Sequence, residues 1–194
     1  MAHKSVLWMA GYKEDGELVV TQAIKLVDLG TLNLQQYLER HIWEVHPFGF
    51  DPKVKETHCF LSKDCQEISG LITYHGELWL KGGPDGVRGG SLAVLVTRLL
   101  LLESLVRWSP DFLVGLQSPM TACRGLSIRE GYMRLEQRSV LWYNQQNNDV
   151  LEGWIVWMSA EEAKFNLRVP AELFCDMFEN NDELKNDLKN LLAA

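Results

Sequence analysis

The fold of this 194-residue chain is decided by the stretch ELWLKGGPDGVRGGSLAVLVTRLLLLESLVRW, residues 77–108. The apolar segment Glu77–Lys81 predicts a β-strand, and the glycine-rich segment 82–90 predicts a turn. The leucine-rich run that begins at Ser91 predicts a buried helix. A glycine turn that opens a helix leaves several backbone N–H groups at the positive end of the helix dipole, so this segment is a candidate site for phosphate or pyrophosphate.

The predicted elements that follow alternate between strands and helices. Strands are predicted over Asp111–Gln117, Met133–Tyr143 and Val150–Met158, and the last two form a hairpin. A short helix between the first two strands ends at Gly131-Tyr132. Ser159 is expected to cap one more helix, because two glutamates follow it.

The segments that precede the glycine turn predict a hairpin, a helix and a meander. The Asp15-Gly16 pair between two apolar runs is typical of a β-hairpin. Thr31 or Asn33 is expected to cap the next helix. A tight turn is expected at His75-Gly76. The three antiparallel strands of the predicted meander are Thr57–Ser62, Glu67–His75 and Glu77–Lys81.

The bulk composition predicts an ordinary globular protein, with 46% hydrophobic and 23% charged residues. The net charge of −7 argues against a nucleic-acid partner, since duplex-binding proteins usually present a basic face. Four cysteines without a CxxC pair predict reduced thiols in the cytoplasm, and the histidines lack metal spacing. The most apolar run, Leu92–Val106, contains Arg98 and Glu103 and is shorter than the roughly 20 residues that span a bilayer. We therefore expect no membrane partner.

Three local motifs, together with the order of elements, resemble the GNAT (Gcn5-related N-acetyltransferase) superfamily over residues 57–157. The segment Glu67–Gly70 is similar to the family's third strand. The segment Arg88–Ala93 resembles its acyl-CoA signature. That signature reads Gln or Arg, then any two residues, then Gly, then any one residue, and finally Gly or Ala. The segment Arg129–Tyr132 resembles the Gly-Phe or Gly-Tyr that ends the family's fourth helix.

The resemblance implies an α/β (α+β) fold with a mixed, mostly antiparallel twisted sheet flanked by helices. The strands Glu77–Gly82 and Asp111–Gln117 are expected to lie parallel and to splay apart at their ends. The implied domain organisation is a GNAT-like acyltransferase domain over residues 1–160. Residues 161–194 are then a C-terminal helical appendage that packs on the same domain.

The function that the resemblance implies is acyl-CoA-dependent N-acyl transfer, with acetyl-CoA or another acyl-CoA as co-substrate. The acceptor is expected to be a primary amine of a small molecule or protein, which attacks the thioester directly in a ternary complex. Main-chain groups after the predicted strand are expected to hold the pantetheine arm, and the start of the helix the pyrophosphate. These cofactor-binding candidates are Lys81, Gly82, Gly83, Arg88, Gly89, Gly90, Ser91, Leu92 and Ala93.

Five side chains are candidates for acid–base catalysis in such a transfer. The attacking amine must lose a proton, and the candidate bases are Glu77, His75 and Glu44. Ser127 or Tyr132 is the candidate for protonating the leaving thiolate. A structural interpretation also stays open for three of them. Glu77 is then a solvated surface carboxylate, His75 a turn residue and Tyr132 a core aromatic.

Two departures from the family pattern leave other functions open. Ser91 stands where the signature has glycine, and Ser127 stands where many members carry the tyrosine that acts as general acid. One alternative is a catalytically inactive GNAT-like binding or regulatory protein. A second is a GNAT-like enzyme that modifies nucleic acid, against which the acidic net charge argues.

Aromatic residues cluster at the two places where this family frames its acceptor pocket. They suggest an aromatic acceptor pocket or a homodimer surface, with core and rim packing as the plainer interpretation. The first helix–loop carries Trp43, Phe48 and Phe50, and the last hairpin carries Trp142, Trp154 and Trp157.

Overall fold

A computed structural model describes residues 5–41, 50–53, 55–83, 86–87, 92–147 and 149–167. Within these ranges, seven strands form one sheet. They are β1 (Val6–Tyr12), β2 (Leu18–Asn33), β3 (His58–Cys59), β4 (Ser69–Leu80), β5 (Phe112–Gln117), β6 (Arg134–Tyr143) and β7 (Val150–Ser159). The strand order is β1-β2-β4-β5-β7-β6-β3, and every neighbouring pair is antiparallel except β4 and β5. The predicted fold class, a mixed and mostly antiparallel sheet with one parallel pair, is confirmed.

Helices flank both faces of the sheet. They are α1 (Leu34–His41), α2 (Lys63–Gln66), α3 (Leu92–Trp108), α4 (Pro119–Cys123), α5 (Leu126–Glu130) and α6 (Ala160–Asn166). Asn33 caps α1 as predicted, because its Oδ1 accepts from Gln36 N at 2.9 Å while Gln36 Oε1 accepts from Asn33 N at 3.1 Å. Ser159 caps α6 through the same reciprocal arrangement with Glu162. No helix among the described residues has the length and apolar character needed to cross a membrane.

The sheet is buried on both faces because α1 and α3 pack on opposite sides of it. On the α1 side, Leu34 and Leu38 join a cluster that includes Trp142, which is 1% exposed. On the α3 side, Leu101 packs in a cluster with Leu113 of β5. Successive residues of a strand face opposite sides. This alternation gives the central strands two apolar faces, and their residues divide between the two clusters.

The predicted turn at His75-Gly76 is wrong, since β4 runs unbroken from Ser69 to Leu80. The strand instead contains a bulge. Gly76 and Trp79 are three positions apart in β4, but their partners in β2 are only two positions apart. Glu77 sits in this bulge with φ of 56°, a left-handed conformation that non-glycine residues seldom adopt. A bulge bends a strand without ending it, so the glycine marks a bend rather than a reversal.

The first strand of the predicted meander is also wrong. Of Thr57–Ser62, only His58–Cys59 is extended, and it pairs with β6 at the far edge of the sheet rather than with β4. The connecting residues form the helix α2, whose first turn is capped by the Ser62 side chain. The predicted C-terminal appendage lies outside the described residues beyond position 167, so it remains a prediction.

Candidate functional site

A gap opens between β4 and β5 where their parallel pairing stops. The pairing runs from Ile72–Phe112 to His75–Gly115. Beyond that point β4 stays paired with β2 up to Leu80, while β5 stays paired with β7 up to Gln117. The two strands therefore diverge, as predicted. The part of β4 that pairs with β5 is Ile72–His75, however, and not the predicted segment Glu77–Gly82. We call the space bounded by the unpaired ends of these strands the β4–β5 gap.

The loop between β4 and α3 is only partly described. Arg88, Gly89, Gly90 and Ser91, the centre of the predicted phosphate site, lie outside the described residues, and so does Glu44. Gly86 folds tightly against β4, because a Cβ atom there would lie 2.4 Å from the carbonyl oxygen of Lys81. Only glycine fits such a turn without moving the backbone.

The main-chain groups of Lys81, a predicted contact of the pantetheine arm, make hydrogen bonds within the fold. Its N–H donates to Val19 O at 2.9 Å, and its carbonyl oxygen accepts from Val87 N at 3.0 Å. Its ammonium group lies 2.5 Å from Glu17 Oε1. The side chain of Ala93, another candidate, is buried in the cluster that joins α3 to β2 and β4, and Leu92 packs against that cluster. Any contact of these two helix residues with a cofactor would therefore use the backbone.

His75 and Tyr132 form a buried pair at the apex of the gap. The Tyr132 hydroxyl oxygen lies 3.3 Å from His75 Nδ1, and His75 Nε2 lies 3.2 Å from Gln22 Oε1. The Gln22 amide nitrogen donates to Val96 O at 2.5 Å, which directs its oxygen toward His75. An amide oxygen can only accept, so His75 carries its proton on Nε2 and accepts from Tyr132 on Nδ1.

This arrangement limits what His75 and Tyr132 can do chemically. Burial lowers the pKa of His75 to about 4, so the imidazole is neutral at pH 7. Burial, chiefly, raises the pKa of Tyr132 well above its usual value. The imidazole lone pair is already occupied by the phenol proton, which makes His75 a hydrogen-bond acceptor for Tyr132 rather than a free base. A Cβ atom on Gly115 would lie 3.0 Å from the Tyr132 hydroxyl, so this glycine makes room for the pair.

The other two catalytic candidates lie in different surroundings. Ser127 is buried, and its carbonyl oxygen accepts from Tyr132 N at 3.0 Å, so it helps to hold the turn that carries Tyr132. Glu77 is exposed at the bulge. Burial, and after it the charge of Glu77, raises the pKa of Tyr74. The structure thus joins His75 to Tyr132 and leaves Glu77 outside their hydrogen bonds.

Glu130 is a buried acid that the sequence analysis missed. It is 0% exposed, and burial raises its pKa to about 7, although hydrogen bonds from Thr97 and Gln117 oppose this rise. Thr97 Oγ1 lies 3.3 Å from Glu130 Oε1, and Gln117 Nε2 donates to Glu130 Oε2 at 2.8 Å. Thr97 was the signal in the sequence, because the residues one turn before and after it in α3, Ala93 and Leu101, are apolar. A buried hydroxyl on such a face needs a polar partner.

A small cavity of about 30 Å³ lies on the α1 side of the sheet, beside the gap. Its mostly apolar lining includes Tyr37, Tyr74 and Leu116, and Lys25 also reaches it. A volume of this size holds about one water molecule. The tryptophans of the last hairpin, Trp142, Trp154 and Trp157, are not among the residues that line it.

The chain matches no protein-family model and no curated protein. Among solved structures, it is similar to NAA60 of Arabidopsis thaliana in complex with a bisubstrate analogue, with 12% identity over 81% of this chain and 76% of that one and a TM-score of 0.48. It is also similar to the ribosomal-protein-S5-alanine acetyltransferase of Vibrio fischeri, with 8% identity over 82% and 64% of the two chains and a TM-score of 0.47. A mutant of the spermidine N-acetyltransferase SpeG from Vibrio cholerae gives 8% identity, 84% and 70% coverage and a TM-score of 0.44. The latter two are acetyltransferases by name.

Proposed function

We propose that this protein is a divergent GNAT-type N-acyltransferase that uses acetyl-CoA or another acyl-CoA. The observation that carries the proposal is the β4–β5 gap, which opens after the pair His75–Gly115. Strand edges that have lost their partner offer main-chain groups to an extended, amide-bearing ligand, which binds as an added strand. The pantetheine arm of CoA is such a ligand, and its thioester would lie in the gap.

The segment between the two diverging strands supports the same ligand. It consists of the glycine-rich residues 82–90 followed by α3, whose described part runs from Leu92 to Trp108. A helix start that follows a glycine turn suits an anionic diphosphate. We propose that Arg88 and the backbone of residues 89–93 bind the CoA pyrophosphate while the arm enters the gap.

Transfer in such a site depends mainly on positioning. An amine held beside the thioester carbonyl would attack it directly, and orientation alone supplies much of the acceleration in reactions of this type. His75 is neutral and its Nδ1 is occupied by Tyr132. We therefore propose that the proton of the attacking amine leaves through Glu77 or through water. The acceptor that we propose is an amine of a small molecule or of a protein.

Binding of acetyl-CoA tests the proposal directly. A ligand that binds only the folded state at a hundred times its Kd stabilises that state by about 2.7 kcal/mol. For a domain of this size, this corresponds to a rise in Tm of roughly 5–10 °C. Calorimetry on the same sample should give saturable heat. Neither a shift nor heat with acetyl-CoA and with longer acyl-CoAs would refute the proposal.

A second candidate is a protein that binds acyl-CoA without turnover. The observation that favours it is that the acid–base groups behind the gap, His75, Tyr132 and Glu130, are buried and hydrogen-bonded to other side chains. Release of free thiol from acetyl-CoA, measured over a panel of amines, separates the two candidates. Binding without thiol release on any amine favours this second function, and amine-dependent release excludes it.

A further inference from the structure

A chain of buried side chains runs behind the β4–β5 gap and connects five elements of the fold. It starts at Gln117 at the end of β5, passes through Glu130 of α5 and Thr97 of α3, and reaches Gln22 of β2. From Gln22 it continues to His75 of β4. Thr97, Gln22 and Glu130 are all 0% exposed. Because water does not reach these groups, their hydrogen bonds must be satisfied among themselves.

The direction of each hydrogen bond in this chain can be assigned from the number of available protons. The Gln22 amide nitrogen donates to Val96 O at 2.5 Å and lies 3.2 Å from Met9 Sδ, so the Gln22 oxygen is left to accept. Thr97 has a single hydroxyl hydrogen, yet its oxygen lies 3.3 Å from both Gln22 Oε1 and Glu130 Oε1. Neither an amide oxygen nor a carboxylate can donate. Both contacts are therefore hydrogen bonds only when Glu130 carries a proton and donates it to Thr97.

The other carboxyl oxygen of Glu130 fixes the orientation of Gln117. Glu130 Oε2 accepts from Gln117 Nε2 at 2.8 Å, which directs Gln117 Oε1 away from the acid. This Oε1 atom is buried and has no hydrogen-bond partner within the described part of the chain. Gln117 is the last residue of β5, in the part of that strand that has left β4 and borders the gap. A buried acceptor without a donor is costly unless a ligand supplies one.

We propose that Glu130 is a positioning residue, whose single proton orders this chain and holds Gln117 so that its side-chain oxygen accepts an amide N–H of the ligand in the gap. The ligand class is a secondary amide carried on an acyl-bearing arm, and this part of the inference rests on the proposed function. Gln117 is then a binding residue, and Glu130 acts through it.

The charges around Glu130 are consistent with a protonated acid. Burial is the largest influence and raises its pKa to about 7, while the positive charge of Arg129 on its own helix lowers it. On α3, Arg98 lies beside Gly131 and donates from its Nε to Arg129 O at 3.2 Å. His75 is neutral, and Tyr132, whose pKa is raised chiefly by burial, is protonated. In these surroundings burial outweighs the influences that favour the ionised form of Glu130.

The test compares wild type with three variants by calorimetry with acetyl-CoA at pH 6. E130Q keeps a donor toward Thr97 and an acceptor toward Gln117, so its Kd should stay within about twofold of wild type. Q117L removes the acceptor and should weaken binding by roughly threefold to tenfold, the loss of about one neutral hydrogen bond. E130L should weaken binding to the same extent by releasing Gln117, and Q117L keeps the test decisive if E130L does not fold.

Infrared difference spectra of wild type and E130Q supply a readout that a merely structural role would not change. The carbonyl stretch of a protonated carboxylic acid should be present in wild type at pH 6, lost at pH 8.5 and absent from E130Q at both. Equal acetyl-CoA affinity in wild type and Q117L, or no protonated-acid band at pH 6, overturns the inference while the proposed function stands. If neither wild type nor any variant binds acetyl-CoA, both the proposed function and the ligand part of the inference are overturned. The infrared result then decides by itself whether Glu130 carries a proton.

Discussion

Replacing Glu130 with glutamine should remove a pH dependence from the stability of the protein. The folded state raises the pKa of Glu130 from 4.5 to about 7, mainly by burial. A group whose folded pKa is raised binds more protons when folded than when unfolded. Stability therefore falls as pH rises from the unfolded pKa to the folded one. Glutamine cannot titrate, so E130Q lacks this fall.

The magnitude follows from the two pKa values. A rise from 4.5 to about 7 corresponds to about 3 kcal/mol, at about 1.4 kcal/mol per pH unit. Wild type relative to E130Q should therefore lose about 3 kcal/mol of unfolding free energy between pH 4 and pH 8. Most of that loss should fall between pH 4.5 and 7. Below this window both proteins have a neutral group at position 130, and their stabilities should lie within about 1 kcal/mol of each other.

Urea unfolding at a series of pH values measures this difference. The two proteins share all other titrating groups, so the contributions of these groups to the unfolding free energy cancel. The slope of free energy against urea should be equal in the two proteins, which makes their midpoints comparable. E14Q is the matched control, since Glu14 is exposed, and its profile should run parallel to wild type. A constant difference between wild type and E130Q across the range would refute the reasoning. If E130Q instead lost stability relative to wild type at high pH, Glu130 would be an ionised and paired group.

Three further predictions concern the same region and the helix that follows β7. Gly115→Ala should destabilise the protein by about 1–3 kcal/mol, because its Cβ would lie 3.0 Å from the Tyr132 hydroxyl. Gly76→Ala is the control in the adjacent strand, since its Cβ would meet Tyr74 at an ordinary 3.4 Å; equal melting temperatures for the two variants would contradict the packing described. Nitrogen NMR of His75 should show a neutral ring with its proton on Nε2 down to pH 5, as its pKa of about 4 requires, and titration near pH 6.5 would exclude the buried pair. Ser159→Ala should cost about 1 kcal/mol in urea unfolding, since it removes the cap of α6, and no loss would show that the cap does not stabilise the helix.

The part of the fold that the sequence predicted is the part that local patterns determine. The strand, glycine turn and leucine-rich helix of residues 77–108 produce β4 and α3, and the Asp15-Gly16 turn produces the first hairpin. The prediction of the meander was wrong because a glycine within an apolar run is compatible with either a turn or a bulge. The long-range pairing of β4 with β2 favours the bulge, and that pairing is not visible in a local window.

Only the backbone part of the candidate site could be predicted from the sequence. The divergence of β4 and β5 was implied by the resemblance to a known family, but the side chains behind it come from positions 22, 75, 97, 117 and 130. No periodicity joins residues so far apart, and each polar residue by itself has an ordinary explanation in its own element. Gln22 and Thr97 carried the informative signal, because each lies on an apolar face of its element and buried polar groups require partners. The apolar residues on these faces are Val20 and Ile24 of β2 and Ala93 and Leu101 of α3.

The position of this buried chain explains why the gap stays open. The Tyr132 hydroxyl packs against Gly115, which is the last residue of β5 that pairs with β4. The hydrogen bonds of Tyr132 to His75 and of Gln117 to Glu130 hold each strand to the α3 side. A buried polar group that loses its partner costs about 1–3 kcal/mol. A rearrangement of β4 or β5 that broke either hydrogen bond would carry this cost, so these polar groups favour the divergent arrangement.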